Sequence, residues 1–330
     1  MYKANDKRYE KMIYNRCGKS GLKLPAISLG LWHNFGSNDV YGSMEEICTF
    51  AFDSGITHFD LANNYGPIPG MAELNFGRIL DSALKPYRDE LCISTKAGYE
   101  MWDGPYGCKN GSRKYLTASL DQSLKRMGLE YVDIFYHHVY DPETPLEETA
   151  LALDSAVRQG KALYAGISNY STSAAKEIAA IFRELKTPFI INQVEYSMLN
   201  RWIEDDGLKE FAQEAGFGLI AFSPLRQGLL TDKYIKEIPE NSRVGKGNTW
   251  VGEEINEQLR AKLSRLSELA ETRSQTLAQM ALSWILRDGK VTSFIVGASR
   301  KQQLEDNIEA IRNSSFSPQE LSEIDSILAK

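Results

Sequence analysis

Short apolar runs alternate with longer amphipathic segments along nearly the whole chain. The runs have the length of buried strands, and the segments between them repeat apolar positions at helical spacing. Such alternation is typical of consecutive βα units around a parallel sheet. The pattern predicts eight strands, at residues 26–29, 57–60, 90–95, 132–136, 162–167, 189–193, 218–222 and 293–296.

A helix-like segment follows each predicted strand, at residues 43–54, 71–84, 113–127, 145–159, 172–185, 205–215, 276–288 and 301–313. Two more helical segments, 256–273 and 318–329, exceed this repeat. Gly18 and Gly21 separate apolar positions within 12–24, which predicts a hairpin that plugs one end. We therefore expect one α/β domain over residues 1–330, a (β/α)8 TIM barrel with an N-terminal β-hairpin and two extra helices. The long irregular stretch 225–252 is expected to be functional or mobile.

Composition narrows the classes of function. With 330 residues, 42% apolar, the chain can bury a large core, and its net charge of -6 argues against binding nucleic acid or an anionic membrane. No apolar run approaches the roughly 20 residues of a spanning helix, and residues 1–15 lack a leader's apolar stretch. The cysteines are spaced as free thiols of a reducing compartment, so a cytoplasmic protein is expected: Cys17, Cys48, Cys92 and Cys108.

Polar residues stand where the predicted strands end, which is where TIM barrels carry their active sites. Asp60 and Tyr65 follow the second strand, Lys96 the third and His138 the fourth. Tyrosine is a weak acid with a pKa of about 10, so a nearby ammonium such as Lys96 would bring its proton into a useful range. A buried lysine needs a carboxylate, the role expected of Asp60. Together with His138 to orient a carbonyl, these groups suit protonation of an oxygen while hydride arrives at carbon.

Eight ordered motifs resemble those of the aldo-keto reductase superfamily from about residue 13 to 328. They are GLW at 30–32, HFDLANNYG at 58–66, STKAG at 94–98, YVDIFYHH at 131–138, GISNYS at 166–171, NQVEYS at 192–197, FSPLRQGLLTDKY at 222–234 and VGASRKQQLEDN at 296–307. The resemblance implies a barrel that uses NADPH or NADH without a Rossmann domain. Its catalytic tetrad falls on Asp60, Tyr65, Lys96 and His138.

The same resemblance implies a set of cofactor residues. Ser168, Asn169 and Gln193 would lie near the carboxamide, with Tyr196 stacked on the nicotinamide. The pyrophosphate loop would include backbone N–H groups and the ammonium of Lys233. The other residues expected to contact the cofactor are Gly30, Trp32, Ser223, Pro224, Leu225, Gly228, Arg243, Gly297, Ser299, Gln303, Asp306 and Asn307.

One departure bears on the choice of cofactor. Many family members carry Lys and Arg where this chain has Gly297 and Gln303, so a 2′-phosphate would depend on Ser299, Arg243 and Arg300. NADPH is expected, with NADH as the alternative. A literal GxGxxA match at 216–221 precedes a strand instead of following one, so it fails as a Rossmann fingerprint. No metal-binding motif is present, and no metal is expected.

The histidines other than His138 are interpreted as structural residues. His137 is adjacent to His138, and only one of the two can point inward from a strand. His58 is expected to be a packed strand residue, and His33 a loop residue bordering the pocket.

The loop after Lys96 bears on the kind of substrate. The loop 98–115 is aromatic and glycine-rich, and Arg113 and Lys114 suit a lid over a small polar substrate. The chain resembles the bacterial branch related to glyceraldehyde-3-phosphate reductase and potassium-channel β subunits, which implies a small carbonyl substrate such as a phosphorylated triose or methylglyoxal and a homo-oligomer, a tetramer or an octamer. Trp32, Tyr99 and Trp102 are expected pocket walls. The rival function is an NADP(H)-binding, redox-sensing subunit, which the presence of His138 disfavours because the channel branch has Asn there.

Overall fold

The computed structural model describes residues 2–107, 110–240, 242, 244–247 and 249–329. Eight parallel strands form a closed barrel in which each strand pairs with the next along the chain and the last pairs with the first, and this confirms the predicted fold class. Each predicted strand boundary lies within two residues of the observed one. The strands are β3 (Ile27–Gly30), β4 (His58–Asp60), β5 (Cys92–Ala97), β6 (Val132–His137), β7 (Ala162–Ser168), β8 (Phe189–Glu195), β9 (Gly218–Phe222) and β10 (Ser293–Val296).

Helices connect successive strands around the outside of the barrel. They are α1 (Tyr41–Asp53), α2 (Met71–Ile79), α3 (Arg113–Met127), α4 (Leu146–Arg158), α5 (Thr172–Leu185), α6 (Trp202–Asp205), α7 (Leu208–Ala215), α8 (Lys233–Lys236), α9 (Thr249–Gly252), α10 (Glu257–Thr272), α11 (Leu277–Ile285), α12 (Lys301–Ile308) and α13 (Pro318–Ala329). The two extra helices correspond to α10 and α13. The predicted helix 71–84 continues from α2 as a wider turn, Leu80–Leu84, and α12 ends in a tighter one, Glu309–Asn313.

Capping residues define where several of these helices begin. Ser112 and Ser171 accept hydrogen bonds from backbone N–H groups in the first turns of α3 and α5. Thr276 and Gln279 form a reciprocal capping box at the start of α11. Each cap satisfies an N–H group that has no partner within its helix, so the local sequence fixes the point at which the chain leaves a loop.

The predicted hairpin lies at the amino ends of the barrel strands. Strand β1 (Tyr14–Arg16) pairs antiparallel with β2 (Lys23–Pro25). The Lys19 N–H donates to the carbonyl of Gly216, just before β9, at 2.8 Å. Gly18, at the turn, has φ +56° and approaches Gly216 so closely that a side chain would collide with it. This end of the barrel is closed, which leaves the carboxyl end open.

Two apolar clusters occupy the interior. The larger lies between the strands and the surrounding helices, and the smaller unites hairpin residues Cys17 and Leu24 with the barrel residues Ile134, Ile191 and Ile220. Within the described residues, no helix has both the length and the apolar character needed to cross a membrane. In the part of the irregular stretch 225–252 that the structure describes, the regular elements are short helical turns, among them α8 and α9.

Candidate active site

A cavity of about 720 Å³ opens at the carboxyl ends of the barrel strands. Most residues that the sequence assigns to catalysis, cofactor or substrate line this cavity. They are Gly30, Trp32, Asp60, Tyr65, Tyr99, His138, Asn169, Gln193, Ser223, Pro224, Leu225, Gly228, Lys233, Gly297, Ser299, Gln303 and Asn307. The topology explains why these residues lie together, because the last residues of every strand in a parallel barrel lie at the same rim.

A buried ion pair lies at the floor of the cavity. Lys96 Nζ donates to Asp60 Oδ2 at 2.6 Å and to the Leu61 carbonyl at 2.5 Å, and the lysine is inaccessible to solvent. The other carboxylate oxygen, Oδ1, accepts from Ser94 Oγ at 2.7 Å and from Gln193 Nε2 at 3.1 Å. Burial lowers the pKa of Lys96, and the charge of Asp60 opposes that shift. A well-satisfied carboxylate therefore holds the ammonium in place.

Tyr65 lies directly over this ion pair. The Lys96 ammonium is 4.8 Å from the centroid of the Tyr65 ring. Burial raises the pKa of Tyr65 well above its ordinary value, and the charge of Asp60 adds to the increase. We expected Lys96 to bring this pKa down, but in this arrangement desolvation dominates, so the phenol keeps its proton. A protonated hydroxyl is the state that a proton donor requires.

His138 and two aromatic side chains surround Tyr65. The His138 ring is 5.8 Å from the Tyr65 ring and 4.6 Å from the Tyr99 ring, both edge-on, and Trp32 lies 6.2 Å from Tyr65. Burial lowers the pKa of His138 well below its usual value, and Lys96 adds to that effect. The imidazole is therefore neutral, and it can donate one hydrogen bond without carrying charge.

The backbone around the cavity is locally strained. Asn34, Asn169, Ser223 and Gln227 all have positive φ values, between 50° and 68°, and all four line the cavity. Non-glycine residues adopt this conformation at a cost of about 1–3 kcal/mol each, and such residues concentrate at functional sites. The four residues lie in the loops after β3, β7 and β9.

The cavity wall carries positive charge, and the part of it formed by α12 and the residues just before that helix is polar. Lys233 and Lys246 are the ammonium groups among its described lining residues. Ser299 donates to Gln303 Oε1 through its N–H, at 3.1 Å, and its hydroxyl lies 3.2 Å from the same oxygen. Asn307 Nδ2 is buried and has no hydrogen-bond partner among the described residues. An unsatisfied buried donor at a cavity wall fits a polar ligand.

Tyr196 does not reach the cavity, which corrects the expectation that it stacks on a nicotinamide. Its ring is fully buried 5.4 Å from that of Trp284, and its hydroxyl donates to Glu204 and accepts from Arg287 at 2.9 Å. The half-buried aromatic ring that lines the cavity from the barrel rim is Phe222, the last residue of β9.

Besides the buried Lys96, three other assigned and described residues also lie off the cavity wall. Ser168 is buried beneath it and accepts from Asn169 Nδ2 at 3.2 Å, so it supports a lining residue. Trp102 packs on Tyr115 in the loop before α3, with ring centroids 5.2 Å apart. Asp306 is exposed on α12. Arg243 lies outside the described residues.

The expected cationic lid is likewise placed elsewhere. Arg113 Nη1 donates to Ser155 Oγ at 3.1 Å, and Nη2 donates to the carbonyl of Leu151. Lys114 lies over the ring of Tyr106, 4.7 Å from its centroid. Arg113 therefore contacts α4 and Lys114 contacts the loop before α3, and neither lines the cavity.

Several lining residues were not predicted. Phe222, Asn64 and Glu195 occupy strand ends or the turns after them, so the strand pattern could have identified them. Lys246 lies in the irregular stretch 225–252, which carries no periodic signal. Among the described residues, no group of three or more His, Cys, Asp or Glu side chains could hold a metal ion. The site therefore combines the protonated phenol of Tyr65, the Asp60–Lys96 ion pair and the neutral imidazole of His138 in a cavity with both polar and apolar walls.

Comparisons with known proteins identify the family of this chain. Residues 26–329 match the model of the aldo/keto reductase family. The L-glyceraldehyde 3-phosphate reductases of Escherichia coli K12 and O157:H7 are each 57% identical over 330 residues, covering 99% of this chain and 95% of the relative. A crystal structure of a thermostable aldo-keto reductase with the inhibitor epalrestat has a TM-score of 0.75 and 30% identity, covering 96% of this chain and all of that one.

Proposed function

Because the chain belongs to the aldo/keto reductase family, we propose that it reduces small aldehydes to alcohols with NADPH, and that glyceraldehyde 3-phosphate is the first substrate to test. One observation carries the proposal: the buried Asp60–Lys96 pair lies directly under Tyr65 in the open end of the barrel. Packing alone does not explain the Asp60–Lys96 pair, because burying an ion pair costs free energy that apolar side chains would not.

The volume of the cavity and the polar groups on its wall support the binding of a dinucleotide. Gly228 and Gly297 line its wall without a side chain, and Gly228 has a φ of +97°, which favours glycine. Lys233 and Lys246 would hold phosphate charge, and the buried Asn307 Nδ2 would donate to a polar base. Phe222 is the proposed aromatic platform for the nicotinamide. When bound, the cofactor supplies hydride.

Each residue of the site then has a defined task. Tyr65 donates its proton to the carbonyl oxygen, and Lys96 stabilises the negative charge left on the phenolate. Asp60 holds the Lys96 side chain in position and balances its charge. His138, neutral because it is buried beside an ammonium, donates a hydrogen bond that orients the carbonyl toward Tyr65.

The substrate assignment rests on relatives and on the size of the open end. Proteins named L-glyceraldehyde 3-phosphate reductase are 57% identical to this chain. The walls beside Tyr65 are Trp32 and Tyr99, which suit a small substrate with an apolar backbone and polar ends. Methylglyoxal, a small aldehyde of similar size, is the second proposed substrate.

We further infer that residues 1–330 form one domain, that the protein is cytoplasmic, and that it assembles as a tetramer or an octamer. The continuous ring of strands and the free cysteines Cys17, Cys48 and Cys92 support the first two inferences. Sedimentation equilibrium would test the assembly, and a monomer at micromolar concentration would contradict it.

Steady-state oxidation of NADPH or NADH at 340 nm tests the function directly. The panel contains glyceraldehyde 3-phosphate, glyceraldehyde, methylglyoxal and 4-nitrobenzaldehyde, each with and without protein. We expect turnover with every aldehyde, a higher kcat/KM for the phosphorylated triose, and preference for NADPH. Equal kcat/KM for glyceraldehyde and its phosphate would remove the phosphate from the proposal. Tight NADPH binding with no turnover would replace the reductase with a redox-sensing subunit.

A further inference from the structure

A chain of buried polar side chains crosses the inside of the barrel beneath the active site. Ser293 Oγ and Ser28 Oγ are 2.7 Å apart, and Ser28 Oγ is 2.9 Å from His58 Nδ1. His58 Nε2 is 3.0 Å from Ser94 Oγ, which donates to Asp60 Oδ1 at 2.7 Å. The residues come from β10, β3, β4 and β5, which are neighbours in the barrel. The chain thus links the far side of the interior to the carboxylate that holds Lys96.

The carboxylate determines the direction of every hydrogen bond in this chain. Asp60 is paired with Lys96, and an ionised carboxylate only accepts, so Ser94 must give its single proton to it. Ser94 then accepts from His58, which places the imidazole proton on Nε2. Nδ1 is left as an acceptor for Ser28, whose own oxygen accepts from Ser293. Four donors therefore point in one direction, toward Asp60.

His58 can take part only as a neutral ring with this one tautomer. Burial lowers the pKa of His58 to about 4, and Asp60 and Lys96 act on it with opposite signs. Both ring nitrogens have partners, so the imidazole carries no unsatisfied group. Interior positions of such barrels are usually filled by branched apolar residues, and polar groups are costly there unless fully bonded. A polar chain that is complete and ends on a charged group indicates more than packing.

We propose that His58 is a positioning residue for the reaction: through Ser94 it fixes Asp60, and so keeps Lys96 charged beneath Tyr65. The inference rests on the proposed function, because its kinetic consequence is measured as aldehyde reduction. It assigns no contact between His58 and substrate or cofactor. The effect passes through two hydrogen bonds, so it weakens with each additional bond from Asp60.

A first experiment measures the tautomer without any turnover. The chain has four histidines, so long-range proton–nitrogen spectra of protein labelled with ¹⁵N in its histidine side chains contain few signals. The signals that disappear in His58→Gln identify His58. We expect a neutral ring with its proton on Nε2 between pH 6 and 9. A ring protonated on Nδ1, or on both nitrogens, would overturn the proposal even if the protein proved to be an active reductase.

A second experiment measures kcat, KM and the pH profile along the chain. Ser94→Ala and His58→Leu should lower kcat about tenfold, Ser28→Ala less, and Ser293→Ala least, with KM for the aldehyde unchanged. In Ser94→Ala and His58→Leu, the pH above which kcat declines should be lower than in the unsubstituted protein. The reason is that a poorly held Asp60 makes the coupled pair of Lys96 and Tyr65 easier to deprotonate. His58→Gln should retain most of the activity, since its amide donates and accepts at similar positions.

Ser283→Ala is the matched control, because Ser283 is equally buried but donates to the Met280 carbonyl in α11, outside the barrel. If all variants kept the unsubstituted kcat and pH profile and lost only thermal stability, His58 would be a structural residue and the proposal would fail. If His58→Leu does not fold, the kcat and pH profiles of Ser94→Ala and Ser28→Ala can be compared instead, and they test the same proposal. Absence of turnover in the unsubstituted protein would instead refute the proposed function.

Discussion

Arg226 and Glu254 form a two-point ion pair that joins the beginning of the loop after β9 to the segment just before α10. Arg226 Nη2 is 2.8 Å from Glu254 Oε1, and Nε is 3.2 Å from Oε2. Arg226 also donates to Glu195, which lines the cavity at the end of β8. Arg226 therefore connects the beginning of the irregular stretch 225–252 to the barrel rim at Glu195 and to Glu254 just beyond the end of that stretch. The same stretch carries Lys233 and Lys246.

Glu254→Gln should weaken NADPH binding about fivefold, the effect of an ion pair worth about 1 kcal/mol, because the loop is no longer fastened beside the cavity. Fluorescence titration with NADPH measures the dissociation constant. Glu309→Gln, which removes an exposed ion pair with Arg312, is the control. An unchanged dissociation constant in Glu254→Gln would mean that the pair stabilises the loop without affecting the cofactor.

Tyr65→Phe should lower kcat about 10²- to 10⁴-fold and leave NADPH binding unchanged, because only the hydroxyl is removed and the ring still covers the Asp60–Lys96 pair. Single-turnover measurements with saturating NADPH separate the chemical step from product release. Retention of most of the rate would show that another group supplies the proton.

Asp60→Asn should abolish activity and destabilise the protein by about 3–5 kcal/mol near neutral pH, because a buried ammonium loses its counter-charge. The pKa of Lys96 is already lowered by burial, and without Asp60 it falls further. The unfolded chain then binds more protons than the folded one, so the stability of the variant should rise with pH toward the ordinary lysine value of about 10.4. Urea unfolding at pH 7 and 9.5 tests the sign, and a deficit that grows with pH would contradict it.

The barrel was predictable because each strand is a short apolar run whose last residue faces the rim. Asp60, Lys96 and Gln193 could be assigned from that rule alone, since strand ends of a parallel barrel converge. Tyr196 was misassigned because β8 continues to Glu195, two residues beyond its apolar run, so the next side chain turns into a charged cluster behind the rim. The cavity-facing aromatic is the last residue of β9.

Two features could not be predicted, for different physical reasons. Lys246 lies in a stretch with no periodicity, whose position depends on long-range contacts such as that of Arg226 with Glu254. The partners of His58 come from the two neighbouring strands, β3 and β5, so its role depends on barrel register, which a single apolar run does not specify. Sequence alone could only indicate that His58 is packed.

Tyr99→Ala and Trp102→Ala should separate the cavity wall from the loop that supports it. Tyr99 faces His138 inside the cavity, whereas Trp102 packs on Tyr115 away from it. We expect Tyr99→Ala to raise KM for the aldehyde about tenfold, and Trp102→Ala to leave KM unchanged while costing about 2 kcal/mol of unfolding free energy. Equal effects on KM would mean that the two residues act together as one lid.

Glu204 should make the protein sensitive to acid in a defined pH range. Burial alone would raise the pKa of Glu204, but hydrogen bonds from Tyr196 and Arg287 lower it from 4.5 to about 2. A carboxyl whose folded pKa is depressed contributes stability that is complete above pH 4.5 and is lost as pH falls to about 2. The side chain is 25% exposed, so we expect about 2 kcal/mol at most after solvent screening. Urea unfolding of Glu204→Gln beside the unsubstituted protein should show a difference that shrinks across this range, whereas Glu309→Gln should show none; a difference that stays constant down to pH 2 would mean that the Glu204 charge is not the source.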